Sequence, residues 1–269
     1  MTVNFLNNRL LFAVVFYFLP LSACFATAND LPSDNVPKKP MTEHIESQIK
    51  LSDFERQIAA KMALDIRYFC SESSIAHAGH CLQPVTKLPT VLADMVTITG
   101  IGSVVLFAEN LASTKQIIQL THDLQQAAAQ SESGQPLIIS IDQEGGRVVR
   151  LPQATSFAGN MAIGATYLEN GVKYATETST VIAKELNLLG INNNYAPVVD
   201  VNTNANNPVI NTRSFGEDPQ RVAELGAAAV NGFQEQGVMA TLKHFPGHGD
   251  THVDSHLGLP LVAHDLGVI

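Results

Sequence analysis

Positive charge is scarce in this 269-residue sequence: 16 Lys and Arg stand against 25 Asp and Glu, giving a net charge of -9. An acidic chain gets no electrostatic help in holding phosphates, so no nucleic-acid partner is expected. No Gly-x-Gly-x-x-Gly opens a helical stretch and no Gly-x-x-x-x-Gly-Lys is present, which removes the phosphate loops of nucleotide-binding folds. Charged residues are only 15% of the chain and hydrophobic ones 45%, so a mainly disordered protein is excluded and a sizeable core is expected. Fixed-period repeats are also missing. The 18 Gly and 13 Pro are spread along the chain, as suits many short loops.

The apolar run Leu10 to Leu19, behind Arg9, is too short to span a bilayer and has the length of a signal-peptide core. Leu21-Ser22-Ala23-Cys24 follows and resembles the bacterial lipobox, in which the Cys is acylated and becomes the new N-terminus. On that reading residues 1–24 are a signal peptide and the protein is an exported, membrane-anchored lipoprotein. Two alternatives stay open: ordinary secretion after cleavage at Ala26-Thr27-Ala28, or an uncleaved anchor. Only three cysteines occur. Processing at Cys24 leaves Cys70 and Cys81, an even number for an oxidising compartment, either joined in a disulfide or packed as two free thiols. His77 and His80 lie nearby, but no second ligand pair stands at zinc-finger spacing.

Residues 25–40 carry three prolines, a Lys38-Lys39 pair and almost nothing to bury, and read as a linker. From residue 41 to 269, apolar β-branched stretches alternate with longer amphipathic ones. Strands are expected over Ala63 to Phe69, Gly102 to Phe107, Leu137 to Asp142, Asn193 to Val199 and Val238 to Lys243. Helices are expected over Ser52 to Met62, Ser113 to Gln130, Gly171 to Leu189 and Pro219 to Gln236. The third should bury Tyr174, Val181, Ile182, Leu186 and Leu189 and leave Glu177 and Lys184 outside. Near-continuous apolar strands between helices mean an α/β fold with parallel strands, either a doubly wound sheet or a (β/α)₈ barrel of the TIM type. Polar residues gather just past the strand ends, at Asp142-Gln143-Glu144, Asp200 and Lys243-His244. That pattern favours the barrel, which assembles its site on that face.

Three blocks carry residues able to do chemistry. In Ile141 to Arg150, Asp142 ends a strand and Gly145-Gly146 lets the backbone turn closely, so a carboxylate could meet sugar hydroxyls. The same residues suit an Asp-capped loop with surface Arg pairs equally well. In Asn207 to Pro219, Asp218 and Pro219 read as a helix cap, while Arg213 sits among loop side chains able to bind a ligand. In Leu242 to His256, histidines recur at 244, 248, 252 and 256, a spacing a helix could use for zinc. Pro246, Gly247 and Gly249 oppose that helix. Asp254-Ser255-His256 then reads as a carboxylate orienting an imidazole for acid/base work, with an unlinked surface pair as the plain alternative.

Taken in order, these blocks resemble the family 3 glycoside hydrolases, in their β-N-acetylglucosaminidase branch. Val105 to Asn110, Gly159 to Gly164 and Asn194 to Asn202 join them, and the likeness runs from about Leu51 to His264. The resemblance implies a barrel that removes terminal β-linked N-acetylglucosamine with retention, without metal or organic cofactor. It implies that Asp142, Arg150, Arg213, Lys243 and His244 hold the sugar. His256 would protonate the leaving oxygen and then activate water, with Asp254 steering it; an imidazole in that place departs from the two-carboxylate rule. Export points to peptidoglycan fragments as substrate.

The family's nucleophilic Asp lies on a later strand, beyond Ile269, and only about five of eight barrel strands are expected within the chain. The expectation is therefore an incomplete barrel with open edges, prone to associate and of doubtful activity unless a complementing C-terminal fragment joins it. The rival from another class is a non-catalytic amino-sugar-binding lipoprotein that uses the same Asp142, Arg213, Lys243 and His244.

Overall fold

A computed structural model describes residues 51–70 and 83–262. The signal segment, the linker, Cys24, His77, His80, Cys81 and residues 263–269 lie outside the described residues.

Helix α1 (Asp53–Ala59) starts where the sequence supplies a capping box: the Ser52 hydroxyl accepts from the Glu55 amide and the Glu55 carboxylate accepts from the Ser52 amide. Strand β1 (Ala63–Asp65) follows, then α2 (Thr90–Thr99) and β2 (Ser103–Leu106). Next come α3 (Thr114–Ala129), β3 (Ile138–Ile141) and the short helices α4 (Asn160–Ala165) and α5 (Tyr167–Asn170). Helix α6 (Lys173–Leu188), β4 (Asn193–Asn194), α7 (Pro219–Gln234) and β5 (Met239–Ala240) complete the order. Asp218 caps α7, accepting from the Gln220 and Arg221 amides, with Pro219 at the first helical position.

The five strands are all parallel and pair in the order β1-β2-β3-β4-β5. A doubly wound sheet reverses its order at a switch point, whereas a barrel wall adds each strand on the same side. The sequential order is that of an incomplete TIM-type barrel, as expected.

The main core fills the space between this sheet and its helices, with Val104, Leu106, Ile139 and Ile141 of the strands against Ile117, Leu124, Ile182 and Leu186 of the helices. A second cluster lies between α4, α6 and α7, where Ile163, Phe215, Val222 and Leu225 meet. Fully burying each such side chain contributes roughly 1.5 to 3 kcal/mol.

Strands are shorter than the apolar runs suggested, and β4 is not apolar. Its two residues are asparagines, both buried. They are tolerated because the Asn194 side chain accepts from the Gln143 amide at 3.0 Å and donates to the Gln143 carbonyl at 2.9 Å, and Asn193 donates to the Ser140 hydroxyl. Past Asn194 the chain turns at a cis Ala196–Pro197 peptide and pairs once more at Val198, which bridges Lys243 in parallel. On α6, Ile182, Leu186 and Leu189 are buried as expected, but Tyr174 is exposed. Small residues fill the inner side instead, Ala175, Ser179 and Ala183. Helix α7 approaches there so closely that a Cβ on Gly232 would lie 2.1 Å from the Ser179 hydroxyl.

Candidate active site

The residues beyond β3 alternate sides as extended backbone does. Gln143 turns back, its side-chain oxygen accepting from the Arg150 and Leu151 amides at 2.8 and 3.2 Å. This bond closes the loop that Gly145 (φ 90°) and Gly146 allow; a Cβ on Gly146 would stand 2.7 Å from Gly159 Cα. Asp142 and Glu144 face the other way, toward the ends of β4 and β5.

Glu144 is the centre of the arrangement. Its Oε2 accepts from Arg213 Nε at 2.9 Å and its Oε1 from Arg213 Nη2 and Lys243 Nζ, both at 2.7 Å. Lys243 Nζ also reaches Asp142 Oδ1 at 2.6 Å. The Glu144 side chain is 3% exposed, Arg213 10% and Lys243 13%. Burial pushes the Glu144 carboxyl up, but the guanidinium and ammonium outweigh it and hold it below the usual carboxylate range. Burial likewise pushes Arg213 down, and Glu144 more than restores it. Such fork-shaped pairing orients Arg213 as well as neutralising it. The Arg213 backbone is fixed separately, its carbonyl accepting from the Asn160 amide group at 2.8 Å.

His244 is set by a second buried carboxylate. Its Nδ1–H donates to Asp200 Oδ2 at 2.6 Å, which leaves Nε2 facing Arg213 Nη2 at 3.4 Å. Asp200 Oδ1 accepts from the His248 amide at 2.6 Å. Burial raises the Asp200 carboxyl, yet the His244 ring and the His248 and His244 amides together bring it below its usual range.

Asp254 and His256 stand apart from this cluster. His256 donates twice to Asp254 Oδ1, from its backbone amide at 2.9 Å and from Nδ1 at 2.7 Å, and the ring is 82% exposed. The backbone bond, then the ring bond, hold the Asp254 carboxyl below the usual range. With Nδ1 engaged, Nε2 is the nitrogen left for proton exchange.

Of the residues expected to hold a sugar, Asp142, Arg213, Lys243 and His244 are thus brought together. Arg150 joins none of their ion pairs among the described residues, and its buried Nε has no hydrogen-bond partner. Glu144 and Asp200 carry more of the arrangement than the sequence suggested. Their only signal was a position just past a strand end. The histidine spacing of four does not describe a helix: the segment is loop, and His244 and His248 meet edge to face at 6.0 Å. Among the described residues no group of three or more His, Cys, Asp or Glu is arranged to hold a metal ion, and no helix is long and apolar enough to cross a membrane. Cys70 is disulfide-bonded.

Residues 74–269 match the N-terminal domain of glycosyl hydrolase family 3. A relative, β-hexosaminidase A of Pseudoalteromonas piscicida, is 57% identical over 212 residues, 78% of this chain and 35% of that protein. Among solved structures, a family 3 β-N-acetylglucosaminidase from Paenibacillus sp. str. FPU-7 superposes with a TM-score of 0.69 at 40% identity, over 81% of this chain and 38% of that one. NagZ from Neisseria gonorrhoeae, in complex with N-trifluoroacetyl-D-glucosamine, does so with 0.65 at 29% identity, over 77% of this chain and 56% of its own. The chain spans about a third to a half of the length of these relatives. The parallel sheet in barrel order superposes on both solved structures, and the chain belongs to glycoside hydrolase family 3.

Proposed function

We propose that this chain carries the sugar-holding face and the acid/base pair of a retaining β-N-acetylglucosaminidase. The observation that carries the reading is charge balance in a buried site: Arg213 and Lys243 are already neutralised by Glu144 and Asp142. Such a site offers fixed donors and acceptors without net charge, which suits an uncharged polyhydroxyl ring and not a phosphate. Asp142, 21% exposed and bound among the described residues through Oδ1, keeps Oδ2 for hydroxyl donors, while Arg213, Lys243 and His244 border it. Arg150 is proposed to complete the sugar contacts from its side of the same loop.

In this reading His256, oriented by Asp254, gives its Nε2 proton to the leaving oxygen while a carboxylate nucleophile from the remaining barrel strands bonds the anomeric carbon, and then takes a proton from the water that displaces that carboxylate. Terminal β-linked N-acetylglucosamine of peptidoglycan fragments is the proposed substrate, and acylation of Cys24 the proposed membrane anchor. A Cys24→Ser variant released from the membrane fraction would support that anchor.

The test pairs calorimetric binding of N-acetylglucosamine with release of nitrophenol from its β-4-nitrophenyl glycoside, and follows the anomer by NMR. Binding by the chain alone is expected, with turnover that yields the β-anomer first once the rest of the barrel is supplied as a complementing C-terminal fragment. Binding with no turnover even with that fragment would favour the amino-sugar-binding reading, and absence of both would overturn the assignment.

A further inference from the structure

The loop that follows β4 and the loop that carries Asp254 and His256 are docked along one seam. Gly249 lies against Val201 so tightly that a Cβ would stand 1.8 Å from the Val201 carbonyl oxygen. The Thr203 hydroxyl donates to Asp250 Oδ1 at 2.7 Å, and Asn204 donates from its side chain to the Thr251 carbonyl at 3.1 Å. At the centre is Asn207, 2% exposed. Its Nδ2 donates to the His248 carbonyl at 2.7 Å and to the Thr251 carbonyl at 2.9 Å. Its Oδ1 accepts from the Val209 and Ile210 amides at 2.9 and 2.7 Å. Those two residues lead into the turn Asn211–Arg213, and the Val209 carbonyl accepts from Arg213 Nη1 at 3.2 Å.

Each end of one amide therefore serves a different half of the site. We propose that Asn207 is a positioning residue that fixes the stem of the Asp254–His256 loop relative to Arg213, so that the proton donor is set against the held sugar. The inference rests on the acid/base reading of His256. Nothing in the composition of Asn207 to Pro219 singles out Asn207, and its own atoms are buried away from a ligand. Its leverage comes from geometry, since a displacement of about 1 Å at a reacting group can cost a hundredfold in rate.

The two ends can be separated. Asn207→Asp keeps an acceptor for the Val209 and Ile210 amides and removes the paired donors to the 248–251 stem. Asn204→Asp makes the same kind of change, at a half-buried position that tolerates folding better. The expected result is faster backbone hydrogen exchange over 248–258 in both variants, larger for Asn207→Asp, with exchange over 209–215 and the affinity for N-acetylglucosamine kept within about twofold. In turnover, kcat on the 4-nitrophenyl glycoside should fall about tenfold or more with little change in KM. The loss should shrink on the 2,4-dinitrophenyl glycoside, whose leaving group needs no proton. A merely structural role would lower both substrates and sugar binding alike. Unchanged exchange over 248–258 in a folded Asn207→Asp would overturn the proposal. Wild-type protein that binds the sugar without turnover even with the complementing C-terminal fragment would instead count against the enzymatic reading, and exchange alone would then decide whether Asn207 fixes the stem.

Discussion

The two halves of the site are built by opposite means. Around Glu144, four charged side chains are drawn into the strand ends, each fixed by at least one partner and none more than 21% exposed. Around His256, whose ring is 82% exposed on a loop, the described residues supply one ion-pair partner, Asp254. The first half can recognise a rigid ligand without rearranging, because its dipoles are already aimed and its charges already paired. The second half is stiff only where the Asn207 seam holds its stem. Binding and chemistry should therefore respond differently to mutation, and each variant below tests that separation.

The largest effect is expected from Glu144→Gln. Removing Glu144 leaves Arg213 with uncompensated buried charge and Lys243 with Asp142 alone, at a cost of about 3 to 5 kcal/mol in stability. Sugar affinity should fall about a hundredfold or more, since both cations lose the carboxylate that aims them. Thermal unfolding and calorimetric binding measure the two. If affinity survives in a folded variant, the cations are placed by something other than Glu144.

His256→Gln should do the reverse. A general acid contributes roughly a hundred- to ten-thousandfold to rate, so turnover should drop within that range while melting temperature and sugar affinity stay as in the wild type. A fall in affinity comparable with that of Glu144→Gln would mean that the two halves are one unit.

This division was only half legible in the sequence. The barrel class and the positions of Asp142, Arg213, Lys243 and His244 could be read, because strand periodicity places whatever follows a strand on one face. The weight of Glu144 could not, since it depends on Gly145 and Gly146 folding the chain back so that Glu144 points inward, and that is a three-dimensional outcome. The residue pattern suggests a strand over Asn193 to Val199, yet only Asn193 and Asn194 form its continuous ladder, with Val198 rejoining at a single bridge to Lys243. The fit of the two asparagines depends on Gln143 and Ser140, more than 50 residues away. Tyr174 shows the same limit: the period of α6 was right, but Gly232 on α7 dictates small residues at the contact.

Asp254→Asn comes next in size. The ring keeps a neutral acceptor but loses the charge-assisted bond that orients it, a loss of roughly ten- to a hundredfold in kcat, toward the lower end because the pair is exposed. Melting temperature should not change. A kcat identical to the wild type would make Asp254 and His256 an unlinked surface pair.

The smallest effect separates the halves by pH. Glu144 and Asp200 both have folded-state carboxyls held below their usual range, so each adds stability that is complete above that range and disappears as pH falls through the lowered folded-state value. Lowering pH from about 5 should therefore reduce the wild-type melting temperature by a few degrees or more before global acid effects dominate, as roughly 1 kcal/mol corresponds to 2 to 4 °C in a domain of this size. In Glu144→Gln one of the two carboxyls is gone, so its melting temperature starts lower and falls less steeply over the same interval. Asp254 is also lowered, but it is exposed and paired only with His256, so Asp254→Asn should track the wild-type curve. Should Asp254→Asn flatten the curve and Glu144→Gln leave its slope intact, the acid-labile charges would belong to the exposed pair, and the buried cluster would not be the prebuilt half of the site.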